Sequence, residues 1–343
     1  MIWLTWRQFR SQAFVTTAVL VVIAVALAVT GPHLASLYSN SGLAACTAKC
    51  STQASSFFGN VTGSSTELIF YIGIFLLYAA PALIGIFWGA PLISRELEAG
   101  TFRLAWSQSV TRRRWVSIKV GLIGLAAMAT AGLLSLMITL WSGPLYQAAH
   151  KAAGGNNMSI SRFAPPLFGA NGIAPIGYAS FAFALGVTAG VLVRRMLPAM
   201  ALTLAVFTAV QLLMTGAIRP HLLPASTAIE PLSAVTFNGM GDTNNGHLIL
   251  TLGTVNAMPD AWIIAAQPVD LAGQPAPTAP SPCISMTNAF LQCLASHGIR
   301  LRVSYQPASR YWALQWLEAG IFVILAAGLG ALCYWKIAIR HDP

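Results

Sequence analysis

The chain has only nine acidic residues, and the one closely spaced pair on a helical segment is Glu96 and Glu98. A general acid and a general base need carboxylates whose environments differ. The neighbours of this pair, Arg95, Gly100 and Thr101, point instead to a connecting segment. Other catalytic patterns are missing. No Lys follows a Gly, so there is no phosphate-binding loop of the kind that cradles and neutralises phosphates. No Ser has Gly at both −2 and +2, so there is no nucleophile elbow. No His precedes a Glu, and His33, His150, His221, His247, His297 and His341 are scattered. The sulfur chemistry is more regular: Cys46 and Cys50 form one close pair, Cys283 and Cys293 another, and Cys333 stands apart. Such pairs hold zinc in a reducing compartment and form disulfides in an oxidising one, so the topology must decide between them.

Composition supplies the topology. The 343 residues are 56% hydrophobic and 8% charged, with mean hydropathy +0.67, whereas a soluble domain has about 25% charged residues. Apolar runs occupy 13–30, 68–93, 116–141, 173–193, 197–218 and 312–335. Each is long enough to cross a hydrocarbon core of about 30 Å. The expected fold is an all-α polytopic membrane protein with six transmembrane helices, a domain at 219–310 between the fifth and sixth, and a short tail within 311–343.

The net charge of +10 does not indicate nucleic acid. The cations punctuate the apolar runs and do not cluster on a polar face. With the N-terminus inside, Arg7, Arg10, the cations from Arg95 to Lys119, Arg194, Arg195, Lys336 and Arg340 all fall on short cytoplasmic segments, as the positive-inside rule requires. Both ends are therefore expected in the cytoplasm. Aromatic residues fall at the expected interfaces, Trp141, Tyr311, Trp312 and Trp316 outside, Trp88, Trp115, Tyr334 and Trp335 inside. Cys46, Cys50, Cys283 and Cys293 then lie outside, where disulfides form; Cys46–Cys50 with Cys283–Cys293 is the simplest of three connectivities, and free thiols are the alternative. In residues 1–12, Ile2, Trp3, Trp6 and Phe9 share one helical side while Arg7, Gln8 and Arg10 lie on the other, an amphipathic interfacial helix. A cleavable leader ending near Ala26-Leu27-Ala28 is the competing reading.

The segment 94–115 is the most informative. A charged turn prolongs the second span through Glu98, Gly100 can cap it, and Thr101 can start a short helix with Phe102, Leu104 and Trp106 on its apolar side. Arg112, Arg113 and Arg114 would hold the third span at the headgroups. The stretch Arg95-Glu96-Leu97-Glu98-Ala99-Gly100-Thr101, followed by Ser107-Gln108-Ser109-Val110, Arg114-Trp115 and Lys119, closely resembles the signature after the second span of ABC-2 type transporter permeases. The order of features over the whole chain is similar too.

That resemblance implies a permease of a bacterial ABC exporter in the plasma (inner) membrane. Its cytoplasmic loop would be a coupling helix docking on a separate ATPase through Arg95, Glu96, Glu98, Gly100, Thr101, Arg103 and Trp106. It also implies two ATPase copies carrying ATP and Mg, no cofactor on this chain, and a second, identical permease. Substrate would pass between permeases along the second and fifth spans, making Phe70, Phe75, Tyr78, Thr203, Phe207, Gln211 and Met214 candidates. Glu318 lies about 10 Å inside the sixth span, where a carboxylate is costly unless paired or wet; Arg310 is its expected partner. The substrate class is a hydrophobic drug, peptide or lipid-like molecule. A lipid-linked glycan permease, or a membrane sensor with a ligand-binding external domain, are the competing functions.

Overall fold

A computed structural model describes residues 2–47, 50–98, 112–152, 161–232, 235–242, 248–255, 258, 260–276, 278, 280, 283 and 290–338. Six helical stretches are long and apolar enough to cross a membrane: Phe9–Asn40, Ser65–Glu96, Ser117–Trp141, Ala174–Val193, Met196–His221 and Ala308–Lys336. They coincide with the six apolar runs, and the first two extend beyond the expected ends. The elements are α1 (Ile2–Asn40), α2 (Ser51–Val61), α3 (Ser65–Ile84), a π-helical turn Gly85–Gly89, α4 (Ala90–Glu98), α5 (Arg112–Trp141), α6 (Gly143–Ala152), α7 (Pro165–Gly169) and α8 (Ala174–Val193). Then come α9 (Met196–Leu213), a second π turn Met214–Ile218, a 3₁₀ turn Arg219–His221, β1 (Ser226–Pro231), β2 (Val235–Asp242), β3 (Leu248–Val255), β4 (Trp262–Val269), α10 (Phe290–Ser296), β5 (Arg300–Gln306) and α11 (Tyr311–Ala338).

The helix α8 is the hub of the bundle, packing against α3, the first π turn, α4, α5, α9 and α11. Its sequence explains this, because Ala and Gly dominate and let neighbouring backbones approach. Gly186 and Gly190 on α8 face Gly85, Gly89 and Ala90; a methyl group at Gly89 would lie 2.6 Å from Phe183 O, and one at Gly190 would lie 2.5 Å from Ala90 O. Two glycines four apart on each helix thus make a backbone-to-backbone seam within one chain. At the other end of α8, a methyl at Gly177 would lie 2.9 Å from Ala319 Cα on α11.

Both π turns are followed by a residue and then a proline, Ala90-Pro91 and Arg219-Pro220. Proline has no N–H for the carbonyl four residues back and its ring crowds that carbonyl, so the ladder slips by one residue just before it. The freed carbonyl of Phe87 is used: Gln12 Nε2 donates to it at 3.0 Å. Beside this bond Phe9 meets Trp88 edge to face at 4.8 Å. Residues 2–12 are therefore the first turns of one unbroken helix that docks on the second span. Trp88, Trp141 and Tyr311, assigned to interfacial belts from their positions, are buried within the chain; Trp312 and Trp316 are exposed.

The all-α expectation requires correction. Among the described residues, segment 219–310 contains five strands: a three-stranded antiparallel sheet in the order β1-β5-β4, and the antiparallel pair β2-β3. In the central strand, Leu301 and Val303 are buried while Arg300 is exposed, the alternation of a strand with one covered face. They pack with Leu232, Leu294 and Ile299, and the Cys283–Cys293 disulfide ties α10 into the same core. The second disulfide, Cys46–Cys50, precedes α2. Helix α2 packs on α6 through Phe57, Phe58, Leu145 and Tyr146. An aromatic group seats the sheet on the bundle: Phe163 stacks on Trp262 at 6.3 Å and meets Tyr311 edge-on at 5.5 Å.

Candidate functional site

At the end of the bundle carrying the loop between α4 and α5, the flanking helices are tied to their neighbours. Ser94 is fully buried and its hydroxyl donates to Ala90 O at 2.8 Å, which places the following acids one turn beyond the glycine seam. Glu96 accepts a charge-assisted hydrogen bond from Lys119 on α5, whose side chain is 4% exposed. Glu98 accepts from the backbone N–H of Met196 at 3.3 Å. That amide opens α9, where a carboxylate satisfies an orphan donor and meets the positive end of the helix dipole. The tight reversal from α8 to α9 depends on Arg194, which adopts a left-handed conformation at φ 58 and returns its N–H to Gly190 O. Arg95 points to solvent. Gly100, Thr101, Arg103 and Trp106 lie outside the described residues, so the proposed short helix does too.

At the opposite end lies a buried polar network. Arg219 is 1% exposed and Glu318 is wholly buried. The guanidinium donates from Nε to Glu318 Oε2 and from Nη2 to Oε1, each at 2.8 Å. Tyr178 donates to the same carboxylate, and Arg219 Nη1 donates to Pro165 O at 3.1 Å. The guanidinium also lies 4.6 Å over the ring of Phe168. Tyr78 donates to Pro165 O at 3.3 Å. One turn nearer the sheet on α11, Gln315 accepts from Ala174 N at 3.0 Å and Ile173 N at 3.2 Å, capping α8, and donates to Phe168 O at 2.8 Å. The network thus joins the fourth, fifth and sixth spans with α7.

The expected partner of Glu318 was Arg310, and this is corrected. Arg310 lies more than two turns away and donates to Pro224 O at 2.6 Å and Gln306 Oε1 at 2.9 Å, bracing the sheet. Arg219 reaches Glu318 because the π and 3₁₀ turns carry the end of the fifth span inward. Its position next to a proline at the end of an apolar run was the available signal, but it read as the start of the external domain. Tyr178 and Gln315 carried no separate signal in sequence.

The candidate path residues do not form one surface in this chain. Thr203, Phe207 and Met214 are buried on the face of α9 turned towards α8, and Phe207 stacks on Phe181 at 6.4 Å. Phe70 packs with Trp141 and Tyr146 at the far end of α3. Phe75 is 69% exposed on the outer surface of the bundle. Tyr78 and Glu318 belong to the polar network. Gln211 is buried with neither Nε2 nor Oε1 hydrogen-bonded to a described residue. An orphan amide in an apolar interior costs about 1–3 kcal/mol, so this side chain retains unused binding capacity.

A family profile for ABC-2 membrane transporter related proteins matches residues 17–219. The match runs through the first five spans, includes the tied loop ends and finishes at Arg219 of the buried network. No curated protein and no solved structure matches. With more than half of the chain matched and six membrane-length helices in the expected order, the chain is a multi-pass membrane permease and belongs to the ABC-2 membrane transporter related family, whose members associate with an ABC ATPase.

Proposed function

We propose that this chain is the transmembrane subunit of an ATP-driven exporter for a hydrophobic drug, peptide or lipid-like molecule. Two copies pair and work with two ATPase subunits, which bind ATP and Mg. Both termini and loop 94–115 face the cytoplasm, residues 2–12 begin the first span at the inner interface, and domain 219–310 stands outside. The cation distribution supports that orientation.

The observation that carries the reading is the anchoring of the loop's two ends. Glu96 ties the second span to the third through Lys119, and Glu98 ties it to the start of the fifth at Met196. A push on residues 99–111 is thus delivered to three spans together. Arg95, Gly100, Thr101, Arg103 and Trp106 supply the docking surface for the ATPase. Between paired permeases, Phe75 and the exposed faces of α3 and α9 border the path.

The test is co-purification of the chain with ABC ATPase subunits of its own cell, and assay of ATP hydrolysis in the complex. Arg95→Ala and Gly100→Leu are expected to reduce retention of the ATPase and its stimulation, with the chain still folded. Undiminished retention and stimulation in both variants would remove the coupling role. A sensor would recruit a partner whose hydrolysis does not respond to these changes.

A further inference from the structure

A cavity of about 640 Å³ opens at the sheet-bearing end of the bundle, away from the Arg219–Glu318 network. Its lining includes Tyr38 from the last turns of α1, Tyr146, His150 and Lys151 from α6, Arg162, and Asp260 from the loop before β4. The volume is within the range of pockets that hold small molecules. Its position is set by the membrane: α1 and α5 are spans, and α6 begins directly after α5.

The electrostatics are one-sided. Among the described residues, three basic side chains line the cavity against one carboxylate. Asp260 is taken up by His150, whose Nδ1 lies 2.6 Å from Oδ2. Lys151 Nζ donates to Leu43 O at 2.6 Å, fastening α6 to the turn after α1. A carbonyl is neutral, and Lys151 meets no carboxylate among the described residues. Arg162 has its guanidinium 5.2 Å from the ring centroid of Tyr146 and meets no carboxylate among the described residues. The intervening residues 153–160 contain no acid in their sequence. Tyr146 is buried, which pushes its phenol well above the usual value, and Asn171 Nδ2 donates to its oxygen at 2.7 Å. The aromatic wall therefore stays neutral and ordered. A guanidinium over an aromatic ring, with no carboxylate on it among the described residues, can take a phosphate by two parallel N–H···O bonds.

We propose that this cavity is a binding site for a phosphate group at the membrane edge, with Arg162 and Lys151 as the charge partners and His150 at the mouth. Tyr38 and Tyr146 form its apolar walls. A phospholipid headgroup and a free phosphate share this chemistry. The site requires only that the six spans be in a membrane and is independent of the export reading.

The experiment is calorimetric titration of the detergent-solubilised full chain with dihexanoylphosphatidylglycerol below its micelle concentration, and separately with inorganic phosphate. Saturable one-site binding of either probe is expected, weakened at least about tenfold by Arg162→Gln, the size of one charge-assisted hydrogen bond. Arg162→Lys should retain part of the affinity. His150→Gln, at a side chain 60% exposed, should weaken binding without affecting folding. Binding of the lipid alone assigns a headgroup; equal binding of inorganic phosphate assigns the free anion. Absence of saturable binding by both probes to the unaltered chain, or unchanged affinity in both Arg162→Gln and His150→Gln, would overturn the site.

Discussion

Arg219 and Glu318, ninety-nine residues apart, meet through two parallel hydrogen bonds of 2.8 Å in the interior of the helical bundle. The contact fixes the fifth span to the sixth at the level where the segment bearing the sheet begins. A buried pair of this kind contributes little net stability against an apolar replacement, but losing one member costs about 3–5 kcal/mol because a charge is stranded. Glu318→Gln and Arg219→Met are each expected to lower the unfolding midpoint of the detergent-solubilised chain sharply. The double variant Arg219→Met, Glu318→Leu should recover much of the loss. Arg219→Lys should behave like a loss, since an ammonium cannot make the two-pronged contact. Additive single effects in a double-mutant cycle would show that the two side chains are not coupled.

A smaller coupling is expected between Gln12 and Pro91. Pro91 removes the donor that Phe87 O would have in an unbroken helix, and Gln12 replaces it. Gln12→Leu should cost about 1 kcal/mol, one net hydrogen bond. In a Pro91→Ala background, where the backbone N–H is restored, the same change should cost less. Equal costs in both backgrounds would mean that the side-chain bond does not compensate for the proline.

The glycine seam gives a contrast within one helix type. Gly89→Val places side-chain atoms against Phe183 O, where the neighbour is backbone and cannot swing aside. Overpacking there is expected to cost about 3 kcal/mol or more and to reduce the yield of folded chain. Gly121 on α5 has nothing within 4 Å of an added methyl. Gly121→Ala should stabilise by up to about 1 kcal/mol through helix propensity. Thermal unfolding of the two variants side by side checks both signs.

The six spans were legible because the lipid core imposes a length that apolar runs must meet, and the cysteine pairs because each lies within a few residues of its partner. Gly186 and Gly190 stand four apart in the fourth span, a spacing that permits close packing, and only the structure supplies Gly85 and Gly89 as the surface opposite. Glu318 was legible as an anomaly, since a carboxylate in a span demands a partner. Arg219 was not legible as that partner, because two non-α turns before and at it reposition the guanidinium. The sheet was left undecided for a different reason. Short apolar runs such as 248–252 and 261–266 fit a strand or a helix equally, and pairing with β5 decides it for β4. The acids Glu96 and Glu98 were read as docking residues, yet both hold neighbouring spans in place, a use that residue type alone does not distinguish.

The cysteines permit a count that tests the covalent frame directly. Of five, Cys46–Cys50 and Cys283–Cys293 are bonded and Cys333 is free and buried on α11. Alkylation of the denatured, unreduced chain should therefore add one label by mass, and five after reduction. Cys333 should resist labelling until the chain is unfolded, since burial excludes the reagent. Replacing Cys283 and Cys293 together with Ser should cost about 2–3 kcal/mol, the loop entropy of so short a ring, and loosen α10 from the sheet. The bundle should be less affected, because Phe163, Phe168, Tyr311 and Leu314 seat the sheet without either sulfur. Hydrogen exchange resolved by segment separates the two responses: faster exchange confined to α10 and β5 supports this division, and equal acceleration across α8 and α11 would show that sheet and bundle unfold as one unit.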